Sequence, residues 1–289
     1  MMKLDYFGKV FNSQDGAIFG GLLFRFDSRG KCRVYDMRGE KTGDEKLLTE
    51  VARFTLDKAD IIAPHSNAVV FGSEYLYADD EFPLLYSNIY NNYSSADDPL
   101  RGVCCVYRIA RDGDGFTSRL VQIIEIGFTD DPELWISSAE NGDVRPYGNF
   151  VIDTDKNLLY AFTMRDGCKQ TRYFAFDLPK TADGEIDPRF GVKRAVLQKG
   201  QIKEMFDCPY HLFLQGATLY GGKIYSVEGF TNDQKHPPAI RLINTETKTQ
   251  ELYFSFVDAG LNIEPEMVTF MDGQCYYGDN HGNIYTLDF

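Results

Sequence analysis

Short runs in which apolar and polar residues alternate, separated by turns, extend along the whole chain. Two early runs, LLFRF (22–26) and CRVYDM (32–37), alternate or nearly alternate, as expected for strands with one buried face. The DSRG between them (27–30) suits a tight turn. Because helical periodicity is almost absent, this pattern predicts an all-β protein.

A phrase made of an apolar pair, a turn and a strand ending in tyrosine recurs along the chain. Its copies are VVFGSEYLY (69–77), VIDTDKNLLY (151–160), GATLYGGKIY (216–225) and VTFMDGQCYY (268–277). Repeated strands with glycine-rich turns are typical of a β-propeller. The residues at comparable positions, separated by 52, 82, 66 and 51 residues, are Asp15, Asn67, Asn149, Gln215 and Glu266.

This spacing predicts five blades in one domain spanning residues 1–289. A four-stranded antiparallel blade needs roughly 40–50 residues, so the longer steps carry insertions. The last unit is one strand short, whereas KLDYFGKVF (3–11) precedes the first unit without a partner. We therefore expect the N-terminal strand to complete the last blade and close the ring, which leaves no long open edge.

Two stretches interrupt the strand pattern. The segments 129–146 and 187–207 are expected to be helical or irregular, although VKRAVLQ (192–198) could equally be an outer strand. The single tryptophan, Trp135, lies in the first of them. It could stack on a ligand or anchor the insertion to the core, the commoner role.

The composition favours β-structure and argues against anionic partners. Aromatic residues include 18 Tyr and 22 Phe, and the formal net charge is −13, which would repel nucleic acid and anionic membranes. The first residues, MMKLDYFGKVFNSQDG, hold no apolar run long enough for a signal peptide, and no stretch approaches roughly 20 apolar residues. We therefore expect a cytoplasmic protein with neither nucleic-acid nor membrane partners. Its six cysteines lack CxxC spacing, so we expect free thiols.

Polar residues close to a proline precede the inner strands of several predicted blades, in IAPHSNAV, VRPYGNFV, DCPYHLFLQGA and NIEPEMV. Their amide, hydroxyl and carboxyl groups would border one mouth of the channel and suit a small polar or carbohydrate-like ligand. The alternative is a polar channel that only holds ordered water. The predicted ligand-binding residues are His65, Asn67, Tyr147, Asn149, His211, Gln215 and Glu266.

Two histidines raise the question of a metal site. His65 and His211 could join Glu266 or Cys208, and two histidines with one carboxylate are a reasonable ligand set. No close ligand spacing supports the set, so neither a metal nor a cofactor is predicted.

The stretch EPEMVTFMDGQCYYG (264–278) resembles one blade of five-bladed glycosidases that act on furanosides or xylosides. That resemblance implies Glu266 as the acid and Asp15 as the base, giving a glycoside hydrolase as an alternative function. The chain departs from the family pattern because the middle blades offer only Asn or Gln, which cannot ionise. The family's Gly between Glu and Pro is also missing, and Glu264 competes for the role of the acid.

Two long connections, YNNYSSADDPLRG (90–102) and FTNDQKHPPA (230–239), should lie on the face that holds the channel mouth. Long loops on a rigid scaffold commonly carry binding function. A protein-interaction scaffold, with a protein partner at these loops, is therefore the third interpretation.

Overall fold

Five sheets surround a central channel, and sheets that follow one another in the chain are neighbours in space. The computed structural model describes residues 2–89, 100, 102–135, 148–165, 168–210 and 213–289. Inner strands of adjacent blades contact one another around the ring, and the first blade contacts the last. The predicted five-bladed β-propeller is confirmed.

The first and last blades meet where the ring closes. Blade 1 consists of β2 (Gly16–Phe19), β3 (Leu22–Phe26), β4 (Lys31–Asp36) and β5 (Thr49–Thr55). Blade 5 consists of β20 (Pro265–Met271), β21 (Gln274–Asp279), β22 (Asn283–Asp288) and β1 (Lys3–Lys9). Because β1 pairs antiparallel with β22, the prediction that the N-terminal strand closes the last blade is confirmed.

Blades 3 and 4 each have four antiparallel strands. Blade 3 consists of β10 (Asn149–Asp153), β11 (Leu158–Arg165), β12 (Gln170–Asp177) and β15 (Glu204–Pro209). Blade 4 consists of β16 (Leu214–Tyr220), β17 (Lys223–Glu228), β18 (Ala239–Asn244) and β19 (Thr249–Ser255).

Blade 2 is larger than a four-stranded blade because it captures an insertion from blade 3. Its own strands are β6 (Val69–Phe71), β7 (Leu85–Asn88), β8 (Val103–Asp112) and β9 (Gly115–Ile126). The insertion adds β14 (Lys193–Leu197), which runs parallel to β9, and then β13 (Glu185–Ile186). This pairing covers the outer edge of blade 2, and an open edge strand would otherwise be exposed.

The expectation of a helical or irregular segment at 187–207 holds for 187–192 and 198–203 but is wrong for 193–197 and 204–207, which are strands. The VKRAVLQ run forms an outer strand, but on blade 2, and β15 supplies the outer strand of blade 3. A short 3-10 helix, Lys199–Gln201, lies between them. Residues 129–135 form turns, whereas 136–146 lie outside the described residues. The other short helices described are α1 (Ala59–Ile62) and a 3-10 helix (Phe256–Ala259).

Buried apolar side chains form five clusters, one for each interface between neighbouring blades. Trp135 belongs to the cluster between blades 2 and 3, where it is 0% exposed and stacks on Phe174 with ring centroids 5.6 Å apart. It therefore anchors the insertion to the core.

The six cysteines form no disulfide in the described part of the chain, and Cys168 alone among them is exposed. No helix in that part is long and apolar enough to cross a membrane.

Candidate functional site

The five residues that the sequence places at equivalent positions all lie where the inner strands begin. Asp15 immediately precedes β2, Asn67 lies two residues before β6, and Asn149 is the first residue of β10. Gln215 and Glu266 are the second residues of β16 and β20. All five side chains are buried.

Four of these residues take part in hydrogen bonds between different blades. The Asn67 amide donates to Gln215 Oε1 at 3.0 Å, and the Asn149 amide donates to the Gln215 carbonyl at 2.7 Å. The Asp15 carboxylate accepts from the backbone N–H of Val69 at 2.7 Å. Blades 1, 2, 3 and 4 are thus joined by polar groups at the channel axis.

Asn88, at the end of β7, completes this arrangement and was missed by sequence reasoning. Its Oδ1 accepts from the backbone N–H groups of Asn67 and Ala68, both at 2.8 Å. Its amide donates to Asn149 Oδ1 at 2.8 Å. The sequence repeat identifies the residues where the inner strands begin, but it does not mark the end of the second strand of a blade, where Asn88 lies. We call the linked set the channel network: Asp15, Asn67, Asn88, Asn149 and Gln215.

Above the channel network an open cavity of about 580 Å³ lies on the face where the inner strands begin. Among the described residues that line it, Phe230 is the only one with an apolar side chain. We call this cavity the polar mouth, and its lining residues are Asn12, Ser13, Gln14, Asp27, Ser28, His65, Gln215, Phe230, Glu264, Glu266 and Asn280.

Two carboxyl groups from the segment leading into blade 5 lie in the polar mouth. Glu264 accepts from the amides of Gln215 and Asn280 at 2.7 and 3.0 Å, and burial raises its pKa despite these hydrogen bonds. Glu266 accepts from the amide of Gln14 at 3.2 Å. Burial and the neighbouring Glu264 charge raise the pKa of Glu266 well above its usual value, although Arg25 opposes this shift.

Asp15 lies deeper than the two glutamates. It is 0% exposed and does not line the polar mouth. Burial raises its pKa well above the usual value, and the hydrogen bond from the Val69 N–H offsets part of that shift. The structure therefore brings Glu266 together with Glu264 in one cavity and places Asp15 beneath it.

Arg25 links the carboxyl groups at the junction of blades 1 and 5. It is 1% exposed, and its Nε donates to Ser13 Oγ at 2.6 Å. Its charge acts on both Asp15 and Glu266. Sequence reasoning missed Arg25 as a site residue because an arginine within an alternating strand is most often on the solvent side.

The opposite end of the channel has a different chemistry. A cavity of about 420 Å³ lies there, and each blade contributes an apolar side chain to it: Phe19, Phe71, Ile152, Leu219 and Phe270. Tyr220 stacks on Phe270 with ring centroids 4.2 Å apart and nearly parallel planes. We call this end the apolar mouth.

The long connection 230–239 lies beside the polar mouth. Phe230 lines the cavity, and Thr231 Oγ1 accepts from the backbone N–H of Glu264 at 2.8 Å. Asn232 does not line the cavity, but its backbone N–H donates to Asn262 Oδ1 at 3.1 Å. This loop thus positions the strand entrance that carries Glu264.

The remaining predicted site residues divide into two groups. His65 lines the polar mouth, and burial lowers its pKa. Tyr147 and His211 lie outside the described residues, as does most of the connection 90–102. Among the residues that the structure describes, no group of three His, Cys, Asp or Glu side chains is placed to hold a metal ion.

No protein-family model and no curated protein sequence matches the chain. Among solved structures, a glutaminyl cyclase from Myxococcus xanthus is similar with a TM-score of 0.49 and 9% identity, covering 99% of this chain and 94% of its own. Hydrazine synthase from Kuenenia stuttgartiensis is similar with a TM-score of 0.40 and 10% identity, covering 92% of this chain and 61% of its own. At these values neither similarity contributes to an assignment of function.

Proposed function

We propose that the polar mouth binds a small polyhydroxylated ligand, such as a carbohydrate. The observation that carries the proposal is the lining of the cavity, in which the described residues place carboxyl, amide and hydroxyl groups around the Phe230 ring. Its volume of about 580 Å³ lies in the range typical of small-molecule sites, roughly 300–1,000 Å³.

The lining is rich in hydrogen-bond acceptors. Glu264 and Glu266 present carboxyl oxygens, while Gln215 and Asn280 supply amides that both donate and accept. Hydroxyl groups of a sugar donate and accept in the same way, so each can pair with this lining. Phe230 offers an apolar surface for the C–H face of a ring.

The channel network supports the cavity from below. Asn67 and Asn149 are each 1% exposed. The Asn67 amide donates to the side chain of Gln215, and the Asn149 amide donates to its backbone carbonyl. We therefore assign them the role of holding Gln215 in place, while Gln215, Glu264 and Glu266 contact the ligand.

A thermal-shift screen with monosaccharides, oligosaccharides and polyols tests the proposal. A ligand at 100 times its dissociation constant should stabilise the protein by about 2.7 kcal/mol. Glu264→Gln and Gln215→Ala should remove that stabilisation, and Thr218→Val at the apolar mouth should keep it. The proposal fails if no compound stabilises the wild-type protein, or if all three variants respond as the wild type does.

Glycoside hydrolysis is the second candidate, favoured by one observation. Glu266 is 3% exposed and its pKa is raised well above the usual value, a property required of a general acid at neutral pH. Two carboxyl groups are needed, and the second would be Glu264 in the same cavity or the buried Asp15.

Turnover of a panel of aryl glycosides tests this second candidate. Activity that is lost in Glu266→Gln, and lost in either Glu264→Gln or Asp15→Asn, would support it and identify the partner carboxyl. If the wild-type protein binds sugars in the thermal-shift screen but turns over no aryl glycoside, hydrolysis is excluded and sugar binding remains the proposed function.

A further inference from the structure

A second cavity, next to the polar mouth, is rich in positive charge although the chain as a whole carries −13. This cleft of about 570 Å³ lies between blade 1 and the linker 10–15 that joins β1 to β2. Asp27 is the one carboxylate among the described residues that line it. The cationic side chains that line it are Arg25, Lys31, Arg33 and Arg53.

Three of these arginines form a row across blade 1. Arg25 on β3 lies directly opposite Arg33 on β4, which in turn lies opposite Arg53 on β5. Adjacent strands are about 4.8 Å apart, and like charges placed directly opposite each other destabilise a sheet. Glu50 pairs with both Arg33 and Arg53, so one carboxylate serves two guanidinium groups. Buried Arg25 lies near the acidic side chains of Asp15, Glu266 and Asp279, so the charge that is least compensated within the fold is that of the Arg33 and Arg53 pair. A bound anion would stabilise that pair.

The row is held in place before any anion arrives. The Arg33 guanidinium lies 3.6 Å from the centroid of the Phe11 ring, a stacking that fixes its plane. Arg25 is 1% exposed and is fixed by hydrogen bonds from its Nε to Ser13 Oγ at 2.6 Å and from its Nη2 to the Asp279 carbonyl at 3.3 Å. Gly16 makes room for Arg25, because a Cβ at that position would lie 2.8 Å from Arg25 Cδ.

We propose that this cleft, the arginine cleft, binds an oxyanion, either a carboxylate or a phosphate. Rigid guanidinium groups recognise both, since their N–H donors match the spacing of two oxygens. Asn12, Ser13 and Asp27 line the arginine cleft and the polar mouth alike, so the two cavities adjoin. Resting on the proposed function, the ligand is then an acidic sugar or sugar phosphate, with its hydroxyls in the polar mouth and its oxyanion in the arginine cleft.

Calorimetric titration with inorganic phosphate and with acetate, at constant ionic strength, tests the oxyanion site directly. Arg33→Gln and Arg53→Gln should each weaken binding about tenfold, the equivalent of about 1.4 kcal/mol. The matched control is Arg38→Gln, an exposed arginine at the other end of blade 1 that pairs with Asp272 at 3.0 Å outside the cleft, and it should bind as the wild type does. The anion that binds more tightly identifies the source of the oxyanion. Absence of binding to the wild-type protein, or equal weakening in all three variants, overturns the proposal.

A second titration separates this site from the polar mouth. Glucose, glucose 6-phosphate and glucuronate are compared in the wild-type protein and in Glu264→Gln. If one ligand spans both cavities, an acidic sugar should bind more tightly than glucose and more tightly than the free anion. Glu264→Gln should then weaken the binding of the acidic sugar but leave the binding of phosphate unchanged. If phosphate binds as expected but no acidic sugar binds more tightly than phosphate, the arginine cleft stands and the shared ligand is overturned.

Discussion

The two mouths of the channel are built from the same five inner strands, yet their chemistry is opposite. At the strand beginnings the lining is polar, with Glu264, Glu266 and Gln215. At the strand ends each blade contributes an apolar side chain, among them Phe19 and Phe270. The sequence repeat therefore accounts for the scaffold, whereas the residue types at the two ends of each inner strand vary independently of it.

The mouths also differ in how polar groups are satisfied. Beneath the polar mouth, amides and a carboxylate from four blades bond to one another in the channel network. At the apolar mouth the packing of rings predominates, as in the Tyr220–Phe270 pair. Buried polar groups are costly when a partner is lost, so equivalent substitutions should be tolerated unequally at the two ends.

The largest expected effect is at the floor of the polar mouth. Asn88→Ala removes the acceptor of two buried N–H groups, those of Asn67 and Ala68. Each such loss costs about 1–3 kcal/mol, so we expect the free energy of unfolding to fall by roughly 2–5 kcal/mol. Urea denaturation measures the change. Thr218→Val, the control at the apolar mouth, should stay within about 0.5 kcal/mol, and equal losses in both variants would contradict the comparison.

Gly216→Ala should have the next largest effect, because blades 4 and 5 approach closely there. A Cβ at this position would lie 2.4 Å from the Glu266 carbonyl oxygen and 2.8 Å from Asp15 Oδ1. Overpacking of this kind costs about 1–3 kcal/mol. The control is Gly200→Ala, where no atom lies within 4 Å of the added methyl group. Thermal unfolding of the two variants compares them, and a Gly216→Ala protein as stable as the control would disprove the close approach.

The buried carboxyl of Glu266 gives a prediction about pH. Because its pKa in the folded protein is raised above the usual 4.5, its contribution to stability is present below that value and is lost as pH rises through the raised pKa. Glu266→Gln should therefore gain stability relative to the wild-type protein as pH increases from about 4.5. Denaturant titrations at several pH values measure the difference.

An exposed glutamate provides the control of opposite sign. The hydrogen bond from Lys223 lowers the pKa of Glu251, so its contribution is present above the usual pKa and is lost as pH falls through the lowered one. Glu251→Gln should lose stability relative to the wild-type protein as pH increases. A pH slope of the same sign in both variants would contradict this account.

The smallest expected effect is at the apolar mouth. Tyr220 is 44% exposed and contributes mainly through its stack on Phe270, so Tyr220→Ala should cost about 1 kcal/mol. Ligand-induced stabilisation should be unchanged, because Tyr220 lies at the opposite end of the channel. Thermal unfolding with and without a ligand found in the sugar screen measures both quantities, and loss of the ligand response would show that the two mouths are not independent.

Much of the fold could be predicted because the strand phrase repeats and each unit carries its own turns. The unpaired run at 3–11 even indicated how the ring closes, as β1 confirms. The pairing of β14 with β9 could not be predicted, because periodicity identifies a strand but does not say which free edge it covers.

The candidate site was predictable only in outline. The comparable positions in the repeat correctly placed Asn67 and Gln215 where the inner strands begin, but not their mutual hydrogen bond across the axis. That contact depends on how narrow the channel is, which in turn depends on close approaches such as the one at Gly216. The sequence indicates Glu264 only as an alternative to Glu266. Its hydrogen bonds to Gln215 and Asn280 depend on the folded chain, since these partners lie 49 and 16 residues away in sequence.

Crystals soaked with the sugars and polyols of the screen would show whether the polar mouth is the ligand site. We expect electron density for a bound compound against Glu264, Gln215 and Phe230, and none in crystals of Glu264→Gln. Density confined to the apolar mouth, or none in wild-type crystals at saturating concentration, would contradict this expectation.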